Sequence, residues 1–168
     1  MTIQELNKLD KKVLKEEMLK CCGAEHWAAG MCDVFPVKNK AQLFEQADAI
    51  WNGLDAKDWL EAFTHHPKIG DVASLKKKFA STAHWASGEQ SGVNTASDEV
   101  IAALAEGNSL YEEKFGFIFI VCATGKTAAE MLALLQQRIP NKKEEELLIA
   151  AEEQRKITRI RLEKLLNA

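Results

Sequence analysis

Long apolar runs are the first thing this sequence lacks. The longest, residues 115–123, falls well short of the roughly 20 residues that a membrane-crossing helix needs. No apolar opening segment is present either: Met1 to Asp10 is polar and mixed in charge, so a secretory signal is not expected. The closing residues Leu165-Leu166-Asn167-Ala168 match no retention or peroxisomal address. The expectation is a cytoplasmic protein with no membrane partner. An excess of one charge is also missing. Lys and Arg number 22 against 25 Asp and Glu, a net charge of −3, so there is no basic field to hold nucleic acid. The 4 cysteines form no disulfide framework: Cys21 and Cys22 are adjacent, Cys32 follows, and Cys122 lies in the apolar run. They read as small buried hydrophobes. Internal repeats and low-complexity linkers are absent, and 168 residues suit a single domain over 1–168.

What is present is helical periodicity. Ile3, Leu6, Leu9, Val13, Leu14, Met18 and Leu19 recur at helical spacing among lysines and glutamates, up to a stop at Gly23. Residues 32–39, with Pro36, read as a loop. A helix is expected over 40–52, with Leu43, Phe44, Ala47, Ile50 and Trp51 inward and Gly53 as its break. Asp55 caps a short helix carrying Trp59, Leu60, Ala62 and Phe63, which must stop before Pro67. A short helix over 72–79 follows, then a loop or helical turn over 81–96 holding Trp85. Thr95 to Asp98 resembles a capping box opening a helix on to Tyr111. Residues 115–123 are rich in β-branched and aromatic side chains. With no partner strand in sight, they read as a buried extended segment leading into a helix over 127–138. Pro140 stops that helix, and Asn141 to Glu144 reads as a second capping box for a long last helix over 142–166. The sum is an all-α, compact multi-helix domain.

Several residue groups invite a chemical reading. Gly125-Lys126-Thr127 is not a phosphate loop, because the glycine required five residues earlier is Ile120; a threonine-capped helix start is the reading kept. Cys21, Cys22, His26 and Cys32 lack zinc-site spacing, so no metal is expected. His65-His66-Pro67 is a proline-fixed turn hanging from an anchored helix, a common place for a catalytic group. Glu89-Gln90, between Gly88 and Gly92, offers an acceptor beside a two-way hydrogen-bonder, which suits a ureido or cyclic amide substrate. At about 100° per residue, Arg161 shares the inward stripe of Leu147, Gln154, Ile157, Thr158 and Leu165. An inward guanidinium needs a partner, either a carboxylate such as Glu89 or a substrate anion.

Together these pieces resemble the 2-oxo-4-hydroxy-4-carboxy-5-ureidoimidazoline (OHCU) decarboxylase family. The resemblance runs from Leu6-Asn7-Lys8-Leu9, Cys21-Cys22-Gly23 and Trp27 through Asp58-Trp59-Leu60-Glu61-Ala62-Phe63 into His66-Pro67-Lys68-Ile69-Gly70-Asp71. It continues with Glu89-Gln90-Ser91-Gly92, the 115–130 segment with Gly125-Lys126-Thr127-Ala128-Ala129-Glu130, Lys156-Ile157 and Arg161-Leu162. Each motif is weak alone, while their order and spacing are specific. The resemblance implies an all-helical homodimer without a cofactor, acting on a small ureidoimidazoline. The implied reaction releases CO2 and protonates one face to give (S)-allantoin. It implies His66, Glu89 and Arg161 as catalytic residues. It implies substrate contacts from Pro67, Gln90 and the backbone around Phe119, Ile120, Val121, Cys122 and Ala123. One departure is visible: the family's substrate-binding serine falls on Ala86. Either Ser87 replaces it through a locally shifted loop, or that contact is lost. The rival readings are an enzyme for a related ureido or hydantoin substrate, and a non-catalytic helical binding module.

Overall fold

Helix starts in this chain are set by short polar side chains that take up otherwise orphaned backbone N–H groups. Thr2 closes a capping box on Glu5, with Glu5 N donating to Thr2 Oγ1 at 3.1 Å and Thr2 N donating to Glu5 Oε2 at 2.7 Å. It opens α1 (Ile3–Lys8). Asp10 accepts from Val13 N at 2.9 Å and opens α2 (Lys11–Cys21). The single helix expected through Leu19 is therefore two. The apolar rhythm continues across the junction, and the Asp10 cap is what divides it. The computed structural model describes residues 1–67, 72, 73, 75 and 98–167. Eight helices lie among them, and no strand does.

After α2 come α3 (Glu25–Val34), α4 (Lys40–Asn52) and α5 (Ala56–Thr64). The sequence reading missed α3, whose N-cap is Ala24 with no side-chain cap bond. The loop near Pro36 is accordingly shorter than expected. It is held by Asn7, which donates to Val37 O at 2.8 Å and accepts from Val37 N at 2.9 Å. The expected bounds of α4 and the Asp55 cap of α5 are found as read. Of the helix expected over 72–79, Val72, Ala73 and Leu75 are helical; the rest of it, and the 81–96 segment, lie outside the described residues. The later helices are α6 (Asp98–Phe115), α7 (Ala128–Arg138) and α8 (Lys143–Asn167). Between α6 and α7 the chain has no regular structure, which agrees with the extended segment expected there.

The chain divides into two compact units, one of Met1–His66 with Ile149–Ala168 and the other Pro67–Leu148. Leu6, Met18, Trp27, Met31, Leu43, Phe63 and Leu162 are fully buried in the first; Ile101, Leu104, Tyr111, Phe115 and Leu135 are buried in the second. Each such side chain contributes about 1.5–3 kcal/mol when withdrawn from water. Trp27 and Trp51 satisfy their indole N–H on Ala47 O at 3.1 Å and Ala151 O at 2.9 Å. In the second unit Gly107 lets α6 approach α7, since a Cβ there would overlap Leu135. No described helix is long and apolar enough to cross a membrane.

The buried stripe of α8 shares Gln154 and Thr158 with the expected one but is otherwise made of different residues. Its inward residues are Glu146, Ala150, Ala151, Gln154, Thr158 and Leu162, while Leu147, Ile157, Arg161 and Leu165 are half-buried at its edge. Leu148 and Ile149 are exposed. Polar residues displace the apolar ones because each finds a partner inside.

Candidate active site

His66 is placed by the end of α5. Ala62 and Phe63 are each 1% exposed and anchor that helix. His65 N and His66 N close its last turn on Ala62 O and Phe63 O, both at 3.2 Å, and Pro67 forbids another turn. The His65 ring lies over Gly23, where any Cβ would overlap its Cγ and Cδ2 atoms. Gly23 therefore serves to clear His65. It is not a left-handed helix stop, since positive φ among the described glycines occurs at Gly116 (79°) and Gly125 (75°). Helix α2 already ends at Cys21, with Cys22 extended.

The His66 ring turns inward. Its Nε2 is hydrogen-bonded to Gln154 Oε1. Gln154 is fully buried, and its amide N donates to Thr158 Oγ1 at 3.1 Å. Thr158 lies beside the Cys22 thiol. Burial pushes the His66 pKa below its usual value, and the charges of Arg161 and His65 push the same way; the Gln154 hydrogen bond works against them. The neutral form of His66 is favoured, because a half-buried imidazolium near a guanidinium has lost water and gained a like charge.

Arg161 is half-buried and donates from Nη1 to Cys21 O at 3.4 Å. The partner expected for it was a carboxylate or an anion; among the described residues its hydrogen bond goes to a backbone carbonyl. Gln154, Thr158 and Arg161 share one side of α8 and face the Cys21–Cys22 corner, so His66 and Arg161 belong to one cluster. Burial raises the Cys21 thiol to about 12 and the Cys22 thiol to about 11, which keeps both protonated and inert. Cys32 is also buried, Cys122 is half-buried, and none of the four forms a disulfide. His26 pairs with Asp58, Nδ1 to Oδ1 at 2.6 Å. No group of three or more His, Cys, Asp or Glu able to hold a metal ion occurs among the described residues. Ser87, Glu89 and Gln90 lie outside the described residues.

The second unit holds the remaining sequence-predicted contacts. Pro67 is its first residue and is exposed. Ile120 is buried, while Phe119, Val121, Cys122 and Ala123 are half-buried. This stretch is pinned by cations. Arg138 Nη1 donates to Ile120 O at 2.7 Å, and its guanidinium lies 4.6 Å from the Phe119 ring centre. Lys126 Nζ folds back on Cys122 O at 2.6 Å. That, together with the Thr127 cap on Glu130 N at 3.1 Å, is the helix start preferred above over a phosphate loop. Arg138 is itself held by fully buried Glu146, Nε to Oε1 at 2.6 Å. Glu146 also accepts from Tyr111 Oη at 2.6 Å and from Asn141 Nδ2 at 3.0 Å. Asn141, expected as part of a capping box, spends its amide here. Sequence reasoning missed Arg138, Glu146 and Tyr111 as well as Gln154. The available signal for Gln154 was a carboxamide and a hydroxyl one turn apart on an inward face, where unpaired polar groups are not tolerated.

The OHCU decarboxylase family model matches residues 7–163. The chain belongs to the OHCU decarboxylase family. Among curated relatives, it is 40% identical over 155 residues to the uric acid degradation bifunctional protein TTL of Arabidopsis thaliana, covering 91% of this chain and 47% of that protein. It is 24% identical over 162 residues to the bifunctional protein PucL of Bacillus subtilis, covering 96% of this chain and 32% of that one. The chain thus spans less than half the length of these relatives. A crystal structure of OHCU decarboxylase in the presence of (S)-allantoin superposes with a TM-score of 0.74 at 40% identity, over 91% of this chain and 99% of that one. A crystal structure of (S)-allantoin synthase shares the fold, with a TM-score of 0.71 at 20% identity, over 98% of this chain and 54% of that one. The all-helical expectation and the family resemblance agree with these findings.

Proposed function

We propose that this chain decarboxylates OHCU to (S)-allantoin and CO2 in urate breakdown, as a cytoplasmic homodimer that uses no cofactor. The observation that carries the reading is the pairing of His66, an imidazole held neutral in a rigid turn, with the half-buried guanidinium of Arg161 in one cluster. Family membership supplies the substrate class. In the reaction the bond from a ring carbon to the carboxylate breaks, CO2 leaves, and the electron pair stays in the ring system. One proton taken up from solvent balances the change. Arg161 is suited to orient the anionic substrate, being planar and permanently charged. His66 rests as a base, so it accepts a proton and returns it to carbon on one face. Gln90 and the N–H groups around Ile120 to Cys122 would stabilise charge growing on ring oxygens. Pro67, Phe119 and Ala123 are assigned as substrate contacts on the family pattern, and Ser87 as the replacement for the family serine that falls on Ala86. Glu89 is assigned to accept a hydroxyl or ureido N–H of the substrate.

The test is circular dichroism of freshly generated OHCU with and without the protein. Rapid growth of the (S)-allantoin signal is the expected result. Decay to racemate at the uncatalysed rate, with folded protein present, would sink the reading and favour a related substrate or a binding module. Sedimentation or light scattering checks the dimer.

A further inference from the structure

We infer that Gln154 is a positioning residue: clamped by Thr158, it takes the Nε2–H of His66 and fixes the neutral ring as the tautomer whose basic nitrogen is Nδ1. The inference deepens the decarboxylase reading and rests on it for its catalytic consequence, but its structural half can be read without substrate.

The argument is one of hydrogen-bond direction. Gln154 is 0% exposed and Thr158 5%. For packing alone, apolar side chains would serve better, because a buried carboxamide costs free energy unless its groups are paired. Here the pairing is complete only with His66 included: Thr158 at one end and the imidazole at the other. Thr158 Oγ1 accepts from Gln154 Nε2 at 3.1 Å, so the amide presents its NH2 to the hydroxyl. The amide is then turned with its carbonyl toward His66. A carbonyl only accepts, so the ring carries its hydrogen on Nε2. The charges that act on the ring are Arg161 from α8 and His65 from its own turn, both of which disfavour an added proton. A fixed neutral tautomer leaves a single lone pair, on Nδ1.

The experiment is multiple-bond proton–nitrogen NMR on the histidine-labelled 168-residue chain, with His66 identified by the signal lost in His66→Gln. Wild-type protein should show the Nε2–H pattern at neutral pH and ionise below the ordinary histidine range. Gln154→Leu should populate both tautomers. Thr158→Val should do so too, by freeing the amide to flip, and it decides the matter if Gln154→Leu fails to fold. Gln154→Glu should keep Nε2–H and raise the ionisation by about one pH unit or more, since an anion now faces the ring. In OHCU turnover, Gln154→Leu should lose about ten-fold or more in kcat with little change in KM, and Gln154→Glu should recover part of the loss and move the acidic limb of the profile upward. An Nδ1–H pattern in the wild type, or an unchanged tautomer in both Gln154→Leu and Thr158→Val, would overturn the inference. The expected tautomers in a wild type that does not turn over OHCU would uphold the Gln154 assignment and defeat the decarboxylase reading alone.

Discussion

Around His66 the inward polar side chains of α8, Gln154 and Thr158, are neutral; around Arg138 the inward partners are ionic. Both clusters draw on α8, which supplies Gln154 and Thr158 to one and Glu146 to the other. In the ionic cluster Glu146 accepts from Arg138, Tyr111 and Asn141. No member can change protonation without stranding a buried charge, and the cluster does one thing, which is to hold the Ile120 carbonyl and the Phe119 ring in place. In the neutral cluster a proton can be gained or lost at His66 while Gln154 and Thr158 stay uncharged. Charge pairing suits a fixed backbone, and neutral pairing suits a group that must titrate during turnover.

The comparison breaks most severely at Arg138. Arg138→Met leaves Glu146 buried without its opposite charge and should cost about 3–5 kcal/mol in urea unfolding. The double variant Arg138→Met with Glu146→Leu should regain much of that, because the stranded charge is gone. If the single variant unfolds like wild type, the cluster is not under charge constraint. His66→Ala should do the reverse. Stability should fall by only about 1–3 kcal/mol, the cost of leaving Gln154 Oε1 without its partner, while the rate of (S)-allantoin formation falls by about a hundred-fold or more; a normal rate would remove His66 from the mechanism. Gly23→Ala comes next. Its methyl would overlap the His65 ring, and the strain should cost about 1–3 kcal/mol. Adding His65→Ala should relieve it, whereas His65→Ala alone should keep near-wild-type activity. An inactive His65→Ala would mean that the turn uses the other imidazole.

The smallest expected effect is pH dependence. The folded-state pKa of His66 lies below its unfolded value, so the unfolded chain takes up the proton first as pH falls. Stability should therefore be whole above about pH 6.5, decline as pH drops toward the lower folded value, and level off below it. Thermal melts of wild type and His66→Gln across that range should differ in slope; identical slopes would mean that the ring is not shielded.

Where the chain marks its own helix ends, structure follows the sequence. Gly53, Asp55, Pro67, Thr127 and Pro140 punctuate α4, α5, α7 and α8, and those bounds were legible. The α1–α2 division was not, because Leu9 keeps the apolar rhythm across the junction while Asp10 interrupts the backbone. Nor was α3, which starts at Ala24 with no side-chain cap. For the site, the His66 turn and the inward placement of Gln154, Thr158 and Arg161 could be read along the chain. Their partners could not, since Gln154 meets His66 and Arg161 meets Cys21 only after distant segments fold together.

By itself the sequence determined the helical class, the family and the position of His66 at the end of an anchored helix. These follow from local periodicity, caps and motif order, which need no long-range contact. Tertiary structure alone decided that α8 buries Glu146 ahead of Leu147 and Leu148, and that burial lowers the His66 pKa. A polar side chain is stable inside only when another segment brings its hydrogen-bond partner, and a pKa moves only when other segments take away its water.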